Sequence, residues 1–244
     1  MKAAPEAQRR LLDLQAVDTA LAQLAHRRKS LPELAEIATI SRELSALEDE
    51  RVRAQVAVDD LDRDITRFEK DIELVRTRKD RDQARLNAGG ALREIEGLQH
   101  EMATLNRRQS ELEDAELELM EKRETAEQAL NDVKSRLAAA GEKRDAAERR
   151  RDEAYADITK EQEFKKAARG PLAADLPADL VTLYDKIRLD SGLGAALFQS
   201  GRCGGCRIEL YGADLNRVKT AAPDEVVRCE ECRRIMVRTN QSGL

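Results

Sequence analysis

From Leu44 onward, apolar side chains recur alternately three and four positions apart: Leu44, Leu47, Ala54, Val58, Leu61, Ile65, Phe68, Ile72 and Val75, with Arg51 the one polar residue in the register. That spacing lays one apolar stripe along a helix and leaves its remaining surface to charge. Upstream, Leu14, Val17, Leu21, Leu24 and Leu31 keep the same rhythm until Pro32 interrupts it. Ser30-Leu31-Pro32-Glu33 reads as a restart, with Ser30 as N-cap, Glu33 returning a capping-box bond and Pro32 tolerated in the first turn. Arg27, Arg28 and Lys29 suit the end of the preceding helix, so a kink or break is expected near residues 30–32.

Asn87-Ala88-Gly89-Gly90 holds the first glycine pair of the chain, a place for a helix to end and the chain to reverse. A second stripe follows directly. Ile95, Leu98, Met102, Leu105, Leu112, Leu119, Ala126, Leu130, Val133, Leu137 and Ala140 keep the three-four spacing, and the register continues through Ala147, Ala154 and Ile158 to Ala168. Heptads sustained over this length predict a coiled coil. Two arms of roughly 75 to 80 residues, about 110 to 120 Å at 1.5 Å per residue, joined by a glycine turn, favour an antiparallel intramolecular hairpin over a parallel dimer of long helices. Arg51, Gln109, Glu116, Arg123, Arg144 and Arg151 intrude on the seam and read as isolated polar positions of a long coiled coil.

Arg169-Gly170-Pro171 is expected to end the second helix. Leu176-Pro177-Ala178-Asp179 then opens a short helix whose apolar face is Leu180, Leu183, Tyr184, Ile187 and Leu189, with Tyr184 and Phe198 as core residues. The expected organisation is therefore a hairpin over residues 1–169, a short helical connector over 170–200 and a terminal module over 201–244.

Composition sharpens this picture. With 2% aromatic residues, no Trp and 37% charged residues, the 244-residue chain lacks the means to build a large globular core. Its net charge is −5, with the signs interleaved, so the whole chain carries no electrostatic footprint for nucleic acid. No apolar run approaches the roughly 20 residues that span a bilayer, and no secretion signal is visible, so the expectation is a cytoplasmic protein without a membrane partner.

The chemistry lies in the four cysteines, arranged as Cys203-Gly204-Gly205-Cys206 and Cys229-Glu230-Glu231-Cys232 with 22 residues between the pairs. Two thiolates from each of two tight turns make one closed tetrahedral zinc site, and the intervening length suits strands and an excursion: a C4 zinc ribbon holding one structural Zn2+. Gly204 and Gly205 are expected to let the first turn bend, and Ile208, Leu210, Val226, Val227, Ile235 and Val237 to form short flanking strands. Two disulfides, a rubredoxin-like iron site and a redox switch that releases zinc are the competing readings of the same thiols. The two histidines, His26 and His100, lie far off on the helical arms, where solvent-facing positions are expected.

No Ser/His/Asp set, phosphate-cradling glycine loop or acid/base carboxylate pair stands out, so neither an enzyme nor a small-molecule substrate is expected. Residues 201–244 carry eight basic and six acidic residues, a surplus that the site's own charge of about −2 cancels. Arg202, Arg207, Arg233 and Arg234 are candidates for phosphate contact with DNA or RNA, though Tyr211 is the one aromatic offered for stacking on a base.

Several local runs complete the reading: Leu98-Gln99-His100-Glu101, Ser110-Glu111-Leu112-Glu113-Asp114, Leu119-Met120-Glu121, Leu176-Pro177-Ala178-Asp179-Leu180, Cys203-Gly204-Gly205-Cys206 and the segment from Ala222 through Cys232. Together with the order of parts they resemble the bacterial C4-type zinc-ribbon, coiled-coil hairpin family, especially its actinobacterial branch. The resemblance implies a long helical hairpin with a terminal zinc ribbon, no enzymatic activity, and a regulatory or nucleic-acid-binding role. The second turn departs from the family's common Cys-Pro-x-Cys-Gly form, with Glu230 in place of Pro and Arg233 in place of Gly. The fold class expected is mainly α, a long antiparallel coiled-coil hairpin with a small C-terminal β zinc ribbon. The function expected is that of a non-enzymatic adaptor for a protein partner, with nucleic-acid binding by the ribbon as the alternative.

Overall fold

Proline and glycine set most of the helix boundaries in the computed structural model, which describes residues 1–243. Helix α1 (Pro5–Lys29) starts on a proline and ends on the basic run His26 to Lys29, the arrangement that suits the helix dipole. Helix α2 (Pro32–Ala88) starts on Pro32 and stops before Gly89, whose φ of +75° a residue with a Cβ rarely adopts. Helix α3 (Leu92–Ala174) follows, then α4 (Ala178–Ser191), which ends on left-handed Gly192. The remaining elements are β1 (Ala195–Gln199), β2 (Arg202–Cys203), α5 (Gly212–Thr220), β3 (Val227–Arg228) and β4 (Ile235–Val237).

Two helix ends differ from the expectation. Ser30 does not cap α2: its hydroxyl and its N–H both donate to the His26 carbonyl, each at 3.1 Å, closing α1 instead. A cap at Ser30 would serve the N–H groups two or three residues on, and Pro32 removes the first of these. Glu33, expected to return the capping bond, keeps a buried carboxylate oxygen without a hydrogen-bond partner. At the other end, α3 runs through Gly170-Pro171 to Ala174. Pro171 sacrifices one backbone bond, but Arg169 is anchored to two aspartates and Leu172 and Ala173 pack on a core, so tertiary contacts hold the last turn in place.

The chain divides into two units, residues 35–148 and residues 1–34 with 149–244. In the first, α2 and α3 pair antiparallel. Arg85 meets Glu94, Arg78 meets Glu101, Arg76 lies 2.9 Å from Glu113, Arg123 2.6 Å from Asp62 and Arg136 3.1 Å from Glu50, so partner numbers rise on one helix as they fall on the other. These exposed pairs are screened by water and contribute little to stability. The seam does the holding: Leu47, Val58, Ile72, Leu98, Leu112, Leu130, Val133, Ala140 and Ala147 are buried, all on the predicted register.

In the other unit, a four-stranded sheet of order β2-β1-β4-β3 separates two small cores. Strand β1 runs parallel to β4, in register Ala195 to Ile235 and Leu197 to Val237, while β2 and β3 pair antiparallel at the edges. Alternation along β4 sends Ile235 and Val237 to one face, against Leu11 and Leu14 of α1 and Leu180 and Tyr184 of α4, and Met236 to the other, against Phe198, Val218 and the buried cysteines. Residues 195–199 are therefore a central strand, not the tail of a helical connector, and a helix, α5, fills the excursion between the cysteine pairs. Leu189, expected on the apolar face of α4, is 78% exposed. The N-terminus joins the same unit: Ala3 N–H donates to the Asp224 carbonyl at 2.7 Å and Val226 N–H to the Met1 carbonyl at 3.1 Å.

Candidate metal centre

Both cysteine turns fold the same way despite different sequences. Arg207 N–H returns to the Cys203 carbonyl at 2.7 Å and Arg233 N–H to the Cys229 carbonyl at 2.9 Å. The residue after the second cysteine of each pair is left-handed, Arg207 at φ +63° and Arg233 at +64°. The opening cysteine of each pair donates its own N–H across the turn, Cys203 to Ile208 at 3.1 Å and Cys229 to Arg234 at 3.0 Å. Backbone N–H groups of Gly205 and Cys206 face the Cys203 sulfur, and those of Glu231 and Cys232 face the Cys229 sulfur. Presenting donors to the sulfur thus needs no glycine.

Gly204 and Gly205 answer a different demand, close packing. A Cβ on Gly204 would meet the Leu197 carbonyl oxygen at 2.6 Å, and one on Gly205 would meet Arg234 Cδ at 2.6 Å and Ala196 Cβ at 3.3 Å. The family's glycine after the second cysteine corresponds to the left-handed position, which this chain fills with arginine in both turns at about 1 kcal/mol of backbone strain each.

The four sulfurs lie within 4.8 Å of one another, Cys203 Sγ 3.7 Å from Cys232 Sγ and Cys206 Sγ 3.9 Å from Cys229 Sγ. A tetrahedron of zinc–sulfur bonds of about 2.3 Å places its sulfurs about 3.8 Å apart, so the donor set fits one Zn2+ with every position filled by protein. Cys203 and Cys229 are buried and Cys206 and Cys232 half-buried. Burial pushes the Cys203 thiol up to about 12 and raises Cys229 as well. At Cys232 burial acts in the same direction, but the Arg234 N–H and the neighbouring sulfurs outweigh it and leave that thiol lowered. A metal is what makes four thiolates compatible with this enclosure. His26 and His100 are exposed on α1 and α3.

The four candidate phosphate-binding arginines differ in what they already contact. Arg202 pairs with Glu209 at 2.9 Å, and Arg234 lies half-buried with its guanidinium donating to the Ser191 carbonyl at 2.9 Å. Arg207 and Arg233 are exposed and carry no side-chain ion pair among the described residues. Nearby, Arg238 donates to four carbonyls, those of Val218, Ala221, Ala222 and Glu225, and closes the end of α5; Arg217 pairs with Glu230 at 2.5 Å. Tyr211 is 69% exposed, and its phenol is raised by a hydrogen bond with Glu209.

A buried polar cluster escaped the sequence reading. Asp18 on α1 accepts from Arg169 Nε at 2.8 Å and from the Tyr184 hydroxyl at 2.8 Å, with Arg188 Nε at 3.3 Å. Gln15, one turn away, accepts from Gly194 N–H at 2.7 Å and Ala195 N–H at 3.2 Å, while Gln8 donates to the Ala3 carbonyl at 2.8 Å. These residues fasten α1 to α3, α4 and the start of β1.

Comparison with known proteins agrees with this architecture. Residues 14–192 match the CT398-like coiled-coil hairpin domain and residues 202–236 the C4-type zinc ribbon domain. An uncharacterized protein of Mycobacterium tuberculosis is 40% identical over 246 residues, covering 98% of each chain. A solved structure from Mycobacterium smegmatis superposes with a TM-score of 0.90 at 35% identity, over 98% of this chain and 100% of the other. The structure of CT398 from Chlamydia trachomatis shares the fold at a TM-score of 0.70 and 22% identity, over 96% of this chain and 98% of that one. Four clustered cysteines in a C4 ribbon hold one structural Zn2+, and the chain belongs to the CT398-like family of coiled-coil hairpins that end in a C4 zinc ribbon.

Proposed function

We propose that the protein is a non-enzymatic adaptor that binds a protein partner in a cytoplasmic transcription or regulatory assembly. The observation that carries this reading is where the cations of the zinc-bearing module are engaged. Arg202, Arg217, Arg234 and Arg238 are bound to acids or carbonyls of their own unit, which leaves few guanidinium groups to neutralise phosphates. A zinc closed by four thiolates offers no position to a substrate, which supports a structural metal and a non-catalytic chain. Among the described residues no helix is long and apolar enough to cross a membrane.

Nucleic-acid binding is the second reading, favoured by Arg207 and Arg233, exposed at equivalent places in the two turns. Capture of partners from cell extract, with and without nuclease, separates the two. An adaptor retains its partner through nuclease and moderate salt, and the purified chain gives no mobility shift on DNA or RNA at low micromolar concentration. A tight, salt-sensitive shift lost in the double variant Arg207→Glu with Arg233→Glu would replace the adaptor reading. Those two positions are preferred because changing Arg202 or Arg234 would also break internal contacts.

A further inference from the structure

We infer that the middle of the hairpin unit is a docking groove for a cationic amphipathic helix of a partner protein, an inference that rests on the adaptor reading above. The seam there is filled by half-buried side chains, among them Leu61, Ile65, Phe68, Leu119 and Ala126. On α2 no residue between Val58 and Ile72 is fully buried, and on α3 none between Leu112 and Leu130. The register positions in that stretch of α3 include the charged residues Glu116 and Arg123.

A groove of ≈ 730 Å³ opens beside this half-buried stretch, with Ile65, Leu117 and Met120 as its apolar lining. Leu117 and Met120 lie off the seam register, one turn apart, and are 59% and 50% exposed. Left exposed by the hairpin's own packing, they offer the apolar surface on which an amphipathic helix can lay its anchor residues.

Charge selects the occupant. Asp62 and Glu127 are held by Arg123 at 2.6 and 2.9 Å. The other acids of the rim, Glu69, Glu116, Glu121 and Glu124, carry no ion pair among the described residues, and the groove's own lining holds no cation besides Arg123; Arg63, Arg67 and Lys70 line the neighbouring cleft. The complementary ligand is a helix with apolar residues at i, i+3 or i+4 and i+7 flanked by Lys and Arg. From Glu116 to Glu127 the wall extends about 17 Å, or three helical turns. A second copy of this chain would bring the same acids to the same place, and like charges repel.

The test uses the full-length chain and a fluorescein-labelled peptide of about 18 residues, built of Leu and Lys with the Leu on one helical face. A scrambled peptide of identical composition spreads the Leu around the helix. Fluorescence anisotropy should show the facial peptide binding more tightly than the scrambled one. Glu121→Lys with Glu124→Lys, and separately Leu117→Ser with Met120→Ser, should each weaken it at least about tenfold, while Glu43→Lys with Asp49→Lys, elsewhere on α2, should change it less than about twofold. All of these sites except Leu117 and Met120 are exposed charges, and circular dichroism checks that every variant keeps its helices. Equal binding of both peptides, equal weakening by the distant variant, or no binding by the wild type would overturn the groove. So would a nuclease-resistant partner held equally well by both groove variants, which would leave the adaptor reading standing. If the wild type captures no partner at all, the adaptor reading fails and the groove's proposed role fails with it.

Discussion

The Tyr184 hydroxyl donates to Asp18 Oδ2 at 2.8 Å, joining residues 166 positions apart in the chain. Asp18 is 4% exposed and is also held by Arg169 and Arg188, so the carboxylate is enclosed by groups that compensate its charge. Asp18→Ala would leave the two arginines without that partner. Since their side chains keep 24% and 31% exposure, the cost should be about 2–4 kcal/mol, below that for a fully buried pair. Tyr184→Phe should cost about 1–2 kcal/mol. Urea unfolding followed by a probe in residues 149–243 measures both.

The same contact sets an alkaline dependence. Burial, and then the hydrogen bond to Asp18, raise the Tyr184 phenol above its ordinary value. A folded-state pKa above the unfolded one stabilises fully below the unfolded pKa of about 10, and the contribution is lost as pH rises from there toward the folded value. Stability should therefore fall above about pH 10 in the wild type, and this part of the slope should be absent in Tyr184→Phe. An identical slope in the two proteins would show that Tyr184 is not its source.

Elemental analysis should find one zinc per chain. Metal binding must displace protons from buried thiols such as Cys203, raised to about 12, so zinc retention should weaken as pH falls and a chromophoric chelator should strip the site faster at about pH 5 than at about pH 8. Cys229→Ser should unfold the ribbon while the hairpin unit, residues 35–148, keeps its helical circular dichroism, because its seam contains no ribbon residue.

Two glycine substitutions should act in opposite directions. Gly97 lies in α3 with no atom within 4 Å of the place a methyl would take, so Gly97→Ala should stabilise by about 0.5–1 kcal/mol through helix propensity and the unfolded state. Gly204→Ala would drive a methyl against the Leu197 carbonyl, which already accepts the Gly204 N–H at 2.9 Å. The expected cost is about 1–3 kcal/mol, together with faster zinc loss. Thermal melts and chelator kinetics on the two variants check this.

Asp82 is 4% exposed in the hairpin seam, and its Oδ2 has no hydrogen-bond partner. Asp82→Leu should stabilise the hairpin unit by about 1–2 kcal/mol, since it replaces an unsatisfied carboxylate with an apolar group. A lower melting temperature would mean that Asp82 is satisfied in solution by water or by a partner.

The helical arms, their seam, the reversal at Gly89 and the four ligating cysteines were all legible in the sequence. Each is a local or periodic signal: the three-four register depends on helix geometry alone, and paired thiols at short spacing have few other uses. The outcome of packing was not legible. Ser30 closes α1 because Pro32 denies it a donor to cap, α3 passes Pro171 because Arg169, Leu172 and Ala173 are held from elsewhere, and residues 195–199 become a strand because β4 lies parallel beside them. Asp18 and Gln15 gave no signal within a helical stripe, since a buried polar side chain is recognisable only from its partners. Leu117 and Met120 did leave a trace, as apolar residues outside the seam register. Periodicity and cysteine spacing were enough to say which segments are helical and which atoms hold the metal. Which helix ends survive and which polar groups are buried came from packing, because those outcomes depend on contacts between residues far apart in the chain.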